Sequence, residues 1–369
     1  MTSTTYGATG ALPRSLSEAS VADRSWYAAG ITLLAVRIIQ GFIYWGGGSR
    51  RFIYAPSKLD AWGGHNWMAN KFQTAMPGAL FGTDHLISFL LLHFDLLYVG
   101  VILFSAAELI FGAMLMAGLL TRLSALVTMG FSVILMAMFG WQGATCIDEW
   151  TMAACNLAMG TTLLLAGGSA FSLDNVLLRR NPRLANRAWF RWAGGTLPLP
   201  LREGGFRGVA FALLAFVLVF NIGTYSYYRG SVLTPFHGGP VSPTKHHVTL
   251  TDATVAAGGA IKVHAYLDGG TPEAQLHIVQ AALIGPDHAV LNVWDAKALS
   301  ALPKADFYNV YAYNKFGPGP YGIRAPMGAM ATITFPLPAG MATLPSGSTF
   351  KLTDVDGSNF TARLKTPAH

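Results

Sequence analysis

Residues 86–120 read LISFLLLHFDLLYVGVILFSAAELIFGAMLMAGLL, and this stretch decides the fold class. As one helix its 35 residues would reach about 52 Å at 1.5 Å per residue. The hydrocarbon core of a bilayer is only about 30 Å thick. The run therefore predicts a short interfacial or re-entrant piece around 86–93, followed by a span near 95–118. The composition agrees, with 52% hydrophobic and 12% charged residues against roughly 25% charged in an ordinary soluble domain. Mean hydropathy is +0.40. Such a chain is not a disordered protein, and it is a poor candidate for a soluble enzyme.

Further apolar runs lie on either side. Trp26–Trp45 is bounded by aromatic residues, as at a membrane interface. Others cover about 123–140, 150–167 and 207–226. The first 25 residues are polar and lack the apolar region of a cleavable signal peptide. The predicted plan is a tail at 1–25, a four-span domain at 26–170, an Arg-rich loop at 171–206, a fifth span at 207–230 and a separate domain at 231–369. In that last part, alternating patterns predict strands at His247–Leu250, Ala260–Leu267, Gln275–Ile284, Ala289–Trp294, Tyr308–Tyr313, Met330–Phe335, Thr349–Thr353 and Phe360–Leu364. The expected fold is thus a membrane α-helical bundle of four spans plus a fifth, with a C-terminal extracytoplasmic β-sandwich.

Charge placement sets the expected orientation. Residues 168–206 hold Arg179, Arg180, Arg183, Arg187, Arg191 and Arg202 against Asp174 and Glu203, which marks a cytoplasmic loop. Five spans across the cell membrane then put the N-terminus on the cytoplasmic side and the β domain outside. The 46–85 loop would lie outside, yet it carries Arg50, Arg51, Lys58 and Lys71. Either these cations are outvoted by the Arg-rich loop, or they are kept there to attract an anion.

Two charges fall within spans. Arg37 and Glu108 each lie about halfway along an apolar run, on antiparallel helices, so the expectation is a pair at similar depth. Its role is either to lock two helices or to line a polar pocket for a quinone head group or a proton relay. His93 and Asp95 near the outer end of the second span read as proton carriers or as interfacial anchors. Cys146 and Cys155 stand nine residues apart. They read as buried thiols, a structural disulfide or a sulfur-accepting pair. His246 and His247 are adjacent on a strand and point to opposite faces, so no metal site is expected there. No motif for haem, flavin or nucleotide is present, and no nucleic-acid partner is expected.

Two segments carry a resemblance. Leu34-Ala35-Val36-Arg37-Ile38-Ile39-Gln40-Gly41 resembles the first-helix pattern of the DoxX/DoxD family of membrane proteins. Glu108-Leu109-Ile110-Phe111-Gly112, running into Gly118-Leu119-Leu120-Thr121-Arg122, resembles its second-helix pattern. The domain after residue 231 looks like the DoxA-like subunit fused behind a DoxD-like part. The resemblance implies a thiosulfate:quinone oxidoreductase, which joins two thiosulfates into tetrathionate and passes two electrons to membrane quinone. On that reading Arg50, Arg51, Lys58 and Lys71 draw in thiosulfate, with His65, Trp62 and Trp67 near them. Cys146, backed by Cys155, forms a sulfur adduct, or sulfur reacts directly with quinone. The expected partners are thiosulfate, quinone and the lipid bilayer. A homo-oligomer is left open. A non-catalytic membrane scaffold and a small-anion transporter are the rival classes.

Overall fold

The computed structural model describes residues 16–365 apart from 55, 62–66, 143–148, 229, 231–232, 234–238, 257–258, 339–340 and 342–343, and only the backbone of 16–27 and 29. Its helices are α1 (Leu16–Ser49), α2 (Met68–Ala75), α3 (Thr83–Leu92), α4 (Phe94–Ala117), α5 (Thr121–Phe139), α6 (Glu149–Ala166), α7 (Leu173–Arg180), α8 (Ala188–Ala193) and α9 (Glu203–Tyr228). Among the described residues, four helical segments are long and apolar enough to cross a membrane: Gly30–Tyr54, Phe94–Ala117, Thr121–Phe139 and Glu203–Tyr228. The expected fourth span, α6, has 18 residues and falls outside that set. The long 86–120 run breaks at His93, whose backbone turns away from helix and whose Nδ1 lies 2.7 Å from the Phe89 carbonyl. Asp95 then sits in the first turn of α4, where the helix dipole favours a negative charge.

The chain forms two compact units. The first comprises Met1–Asp60, Val99–Leu135 and Met152–Gly223. In it α1 and α4 pack backbone to backbone through small residues. A Cβ at Gly41 would lie 2.6–2.7 Å from Met116 and the Gly112 carbonyl, and one at Gly48 would lie 2.7 Å from Leu109 and the Ser105 carbonyl. Close packing of this kind is how helices associate where no hydrophobic force separates lipid from Leu. It also keeps the Gly46-Gly47-Gly48 run helical. Helix α1 continues past Trp45 into a π-turn at Arg50–Tyr54, about nine residues beyond the end expected for the span.

One end of this unit is closed by buried ions that bond to backbone. Asp174, in the first turn of α7, accepts from the Leu120 and Thr121 amides at 2.7 and 3.0 Å and from the Gly195 amide at 2.8 Å. It thereby caps the N-terminus of α5 from another helix, satisfying amides that have no partner inside it. Arg122 donates to the Leu164, Arg191, Gly194 and Leu197 carbonyls. Arg37 donates to the carbonyls of Gly168 (3.1 Å) and Phe171 (2.5 Å). The two cations thus serve carbonyls at and beyond helix C-termini, as the dipole favours. Much of the 168–206 segment, expected as a loop, is short helices folded onto this end.

The second unit comprises Ala61–Tyr98, Met136–Thr151 and Thr224–His369. Its strands are β1 (His247–Ala256), β2 (Ala260–Gly269), β3 (Leu276–Ile284), β4 (Val290–Trp294), β5 (Phe307–Asn309), β6 (Gly317–Gly319), β7 (Gly322–Ala325), β8 (Met330–Pro336), β9 (Thr349–Asp354) and β10 (Asn359–Arg363), with a short helix α10 (Ala296–Ser300) after β4. One sheet runs β1-β2-β8-β5; the other runs β10-β9-β3-β7-β6, with β4 also on β3. Every strand pair among the described residues is antiparallel. Inward residues alternate along β8 and β9, and Phe335 meets Phe350 across the sheets at 4.7 Å between ring centres. All eight expected strands occur. The Tyr308–Tyr313 strand ends at Asn309, and β6 and β7 were not foreseen, because Gly and Pro dilute their alternation.

Helix α2 is fastened to this domain by a reciprocal set of hydrogen bonds. Gln73 Nε2 donates to the Asn314 and Gly328 carbonyls, both at 2.9 Å, while Gln73 Oε1 accepts from the Asn314 amide at 2.8 Å. Asn314 Nδ2 returns to the Asn70 and Met327 carbonyls and to Thr74 Oγ1. Gly328, at φ +78°, has no side chain to collide with the Gln73 carbonyl. The aromatic Trp141 donates to the Ala75 carbonyl at 2.8 Å and joins the β-domain core.

His246 and His247 turn to different carboxylates, Asp354 at 3.1 Å and Asp268 at 2.6 Å. The bond to the buried Asp354 carboxylate raises the His246 pKa above its ordinary 6.5. A raised folded-state pKa means extra stability that is fully present below the unfolded pKa and lost as pH rises through the folded one. The melting temperature of the β domain should therefore fall as pH climbs from about 6.5 into the alkaline range. His246→Asn should flatten that dependence. An equal slope in the variant would remove His246 as its source.

Candidate functional site

Polar side chains line up along the inner face of α1 in the first unit. Gln40 and Tyr44 are one helical turn apart, so they share a face. Gln40 Nε2 donates to Thr128 Oγ1 at 3.3 Å and to the Asn156 carbonyl at 2.9 Å. The Tyr44 and Ser132 hydroxyls are 2.6 Å apart. Thr128 and Ser132 repeat the one-turn spacing on α5, and Asn156 comes from the buried face of α6. All five are buried.

A second helical turn along α1 brings the column to a charged pair. Glu108 of α4 is 3% exposed and accepts from Arg51 Nη1. Arg51 also reaches Ser105 Oγ at 3.4 Å. A Cβ at Gly47 would lie 3.5 Å from Glu108 Oε2, so the bare backbone of α1 passes beside the carboxylate. Lys58 contributes positive potential at the same carboxylate. Three polar atoms along the column are buried without a partner among the described residues: Gln40 Oε1, Asn156 Oδ1 and Arg51 Nε. Two are acceptors and one is a donor.

The expected Arg37–Glu108 pair is therefore corrected. Glu108 pairs with Arg51, and Arg37 belongs to the backbone-capping end. The error came from ending the first span at Trp45, which placed Arg37 at mid-span. With the segment running to Tyr54, Arg37 lies about a third of the way from its start.

The other expected site residues divide. Arg50 is exposed and has no ion partner among the described residues. Lys71 on α2 pairs with Glu149 and lies 5.5 Å from the Phe139 ring centre. Arg51 and Lys71 are thus committed to carboxylates. Trp67 is buried against Phe94 and Tyr98. Trp62, His65 and Cys146 lie outside the described residues. Cys155 is a free, exposed cysteine on the face of α6 opposite Asn156 and Leu157. Sequence reasoning quoted Gln40 only as part of a pattern and passed over Tyr44, Thr128, Ser132 and Asn156. The available signal was polar residues recurring at one-turn spacing inside apolar runs.

The pairing generates a sharp test. Removing one partner of a buried ion pair strands the other, at a cost of about 3–5 kcal/mol. Arg51→Leu and Glu108→Leu alone should each sharply lower folded yield in detergent, and the double variant should recover much of it. Arg37→Leu and Glu108→Leu should instead combine additively, within about 0.5 kcal/mol. Coupling of Glu108 to Arg37 in place of Arg51 would contradict the assignment.

Comparison with protein families agrees with this division of the chain. The family described as TQO small subunit DoxD matches residues 32–200, which include every residue of the polar column. The family described as TQO small subunit DoxA matches residues 229–363, the β domain. The chain thus belongs to the DoxD and DoxA families of thiosulfate:quinone oxidoreductase small subunits, joined in that order on one polypeptide.

Proposed function

We propose that this membrane protein oxidises thiosulfate to tetrathionate and passes the electrons to quinone. The balance is two thiosulfate dianions, one quinone and two protons giving one tetrathionate dianion and one quinol. The observation that carries the reading is the buried polar column, set in an apolar bundle and ending in a carboxylate. The reaction needs a group that accepts electrons in the membrane, and quinone supplies that chemistry by taking up two electrons with two protons. The column offers free hydrogen-bonding atoms of both kinds. Arg51 Nε–H is a donor for a carbonyl oxygen, while Gln40 Oε1 and Asn156 Oδ1 are acceptors for hydroxyl hydrogens. Glu108 is the carboxylate at which a proton could be passed, and Arg51 stabilises its charged form. The apolar walls exclude water, which strengthens each of these interactions. In the 46–85 loop Arg50 is exposed and has no ion partner among the described residues.

The same reading sets the orientation. The arginines of 179–202 belong on the cytoplasmic side by the positive-inside tendency, and the β domain lies on the opposite side. In a background lacking the native cysteines, an impermeant thiol reagent added from outside should label a cysteine placed at exposed Asp287 but not one at exposed Asn181. The reverse pattern would overturn this orientation.

The chemical test is anaerobic thiosulfate-dependent reduction of a quinone analogue by the purified chain, with tetrathionate measured alongside. Two thiosulfates should disappear per quinol formed. Glu108→Gln keeps the shape and hydrogen-bonding capacity but cannot carry the proton, so turnover should fall by about 10²-fold or more. Gln40→Leu should chiefly raise the quinone KM. No quinol formation by folded wild-type protein would refute the proposal. Normal turnover in Glu108→Gln would remove that carboxylate from it.

A further inference from the structure

The β domain holds a cavity of about 830 Å³ that the polar column does not account for. It opens where edge strand β5 of one sheet and edge strand β6 with its neighbour β7 of the other are bridged by the loop 310–316. Lys304, Lys315 and Arg324 line it, with Tyr308, Tyr311 and Tyr313, and no Asp or Glu is among its described lining residues. The three cations are exposed and have no ion partner among the described residues. This contrasts with Arg51 and Lys71, whose charges are already met by carboxylates.

The walls are built rather than incidental. Asn309 closes the ends of the loop on each other, accepting from the Phe316 amide at 2.8 Å and donating to the Phe316 carbonyl at 3.0 Å. Tyr311 is held by a 2.8 Å bond between its hydroxyl and Ser88 Oγ. The buried Asn314 ties the same loop to Gln73 of α2. The aliphatic stem of Arg324 lies over Gly319, where a Cβ would come within 3.2 Å of it. Burial keeps the Tyr313 phenol above its ordinary pKa, so it stays a hydrogen-bond donor.

We propose that this cavity is the binding site for the anionic sulfur substrate, a divalent sulfur oxyanion held by Lys304, Lys315 and Arg324. The proposal rests on the thiosulfate-oxidising reading and moves substrate capture from the 46–85 loop to the β domain. A wall of ammonium, guanidinium and phenol donors with no carboxylate in it selects anions. A volume in the range of small-molecule sites admits two small dianions, whose mutual repulsion three cations offset. The task assigned to these side chains is capture of the anion.

The probe is inorganic thiosulfate itself, measured by equilibrium binding to the full chain in detergent, with sulfate as competitor. Wild type should bind it with an affinity that weakens as ionic strength rises. Lys304→Gln, Lys315→Gln and Arg324→Gln should each raise Kd by about five- to tenfold, and the triple variant should lose measurable binding. These side chains are exposed, so the variants should fold. Retained melting temperature and unchanged quinone KM should confirm it. Lys262→Gln, an exposed β2 cation outside the cavity, should bind as wild type does. In turnover the single variants should raise the thiosulfate KM with kcat nearly unchanged. Unchanged binding and unchanged thiosulfate KM in the triple variant would overturn the site while leaving the oxidoreductase reading intact. Binding lost in the triple variant, with no quinol formed by wild type, would uphold the anion site and refute the reading it serves.

Discussion

A carboxylate buried in an apolar helix needs a partner, and Glu108 constrains how the helical unit is built. Charge in a low-dielectric interior is expensive unless it is met by an opposite charge or by hydrogen bonds. Arg51 meets it, and it can do so only if α1 stays helical through three consecutive glycines and ends in a π-turn. The glycines that make this run poor in intrinsic helix propensity are also what lets α1 approach α4 closely enough for the pair to form. The other buried ions, Arg37, Arg122 and Asp174, are answered by backbone carbonyls and amides at helix ends. One medium therefore produces two solutions, and they separate a site of side-chain chemistry from a structural cap.

The architecture was legible because lipid imposes length and composition on whole segments. The 86–120 run is too long for one crossing, and the break at His93 falls where that arithmetic puts it. The alternation from residue 247 onward likewise exposed the sandwich. Pairing between side chains was not legible. Arg37 and Glu108 were matched by depth alone, and depth depends on where each helix ends. Gly46-Gly47-Gly48 reads as a terminus by propensity, whereas packing against Ser105 and Leu109 overrides it. Arg51 and Lys71 looked available because their partners, Glu108 and Glu149, are distant in sequence. The cavity at Lys304, Lys315 and Arg324 was invisible for a related reason, since it is assembled from three separate stretches at the edges of two sheets.

The joined order of the two family segments has a structural counterpart. Residues 61–98 of the DoxD-family segment and the DoxA-family β domain share one compact unit. The Gln73–Asn314 bonds are the clearest expression of that sharing, because each amide satisfies backbone groups of the other's segment. The β domain is therefore joined to the DoxD-family part through more than the linker. The same Asn314 holds the loop that forms one wall of the cationic cavity, so the helix α2 contributes to the shape of a cavity in which it places no side chain.

The central claim is that the buried column of Gln40, Tyr44, Thr128, Ser132, Asn156 and Glu108 receives the quinone head group. A photoreactive quinone analogue, cross-linked to the intact chain and mapped by peptide sequencing, addresses it without relying on turnover. The account predicts labelling on α1 around Gln40–Tyr44 and on α6 around Asn156, displaced by excess unmodified quinone and reduced by Gln40→Leu. Displaceable labelling confined to α9 or to the β domain would contradict it.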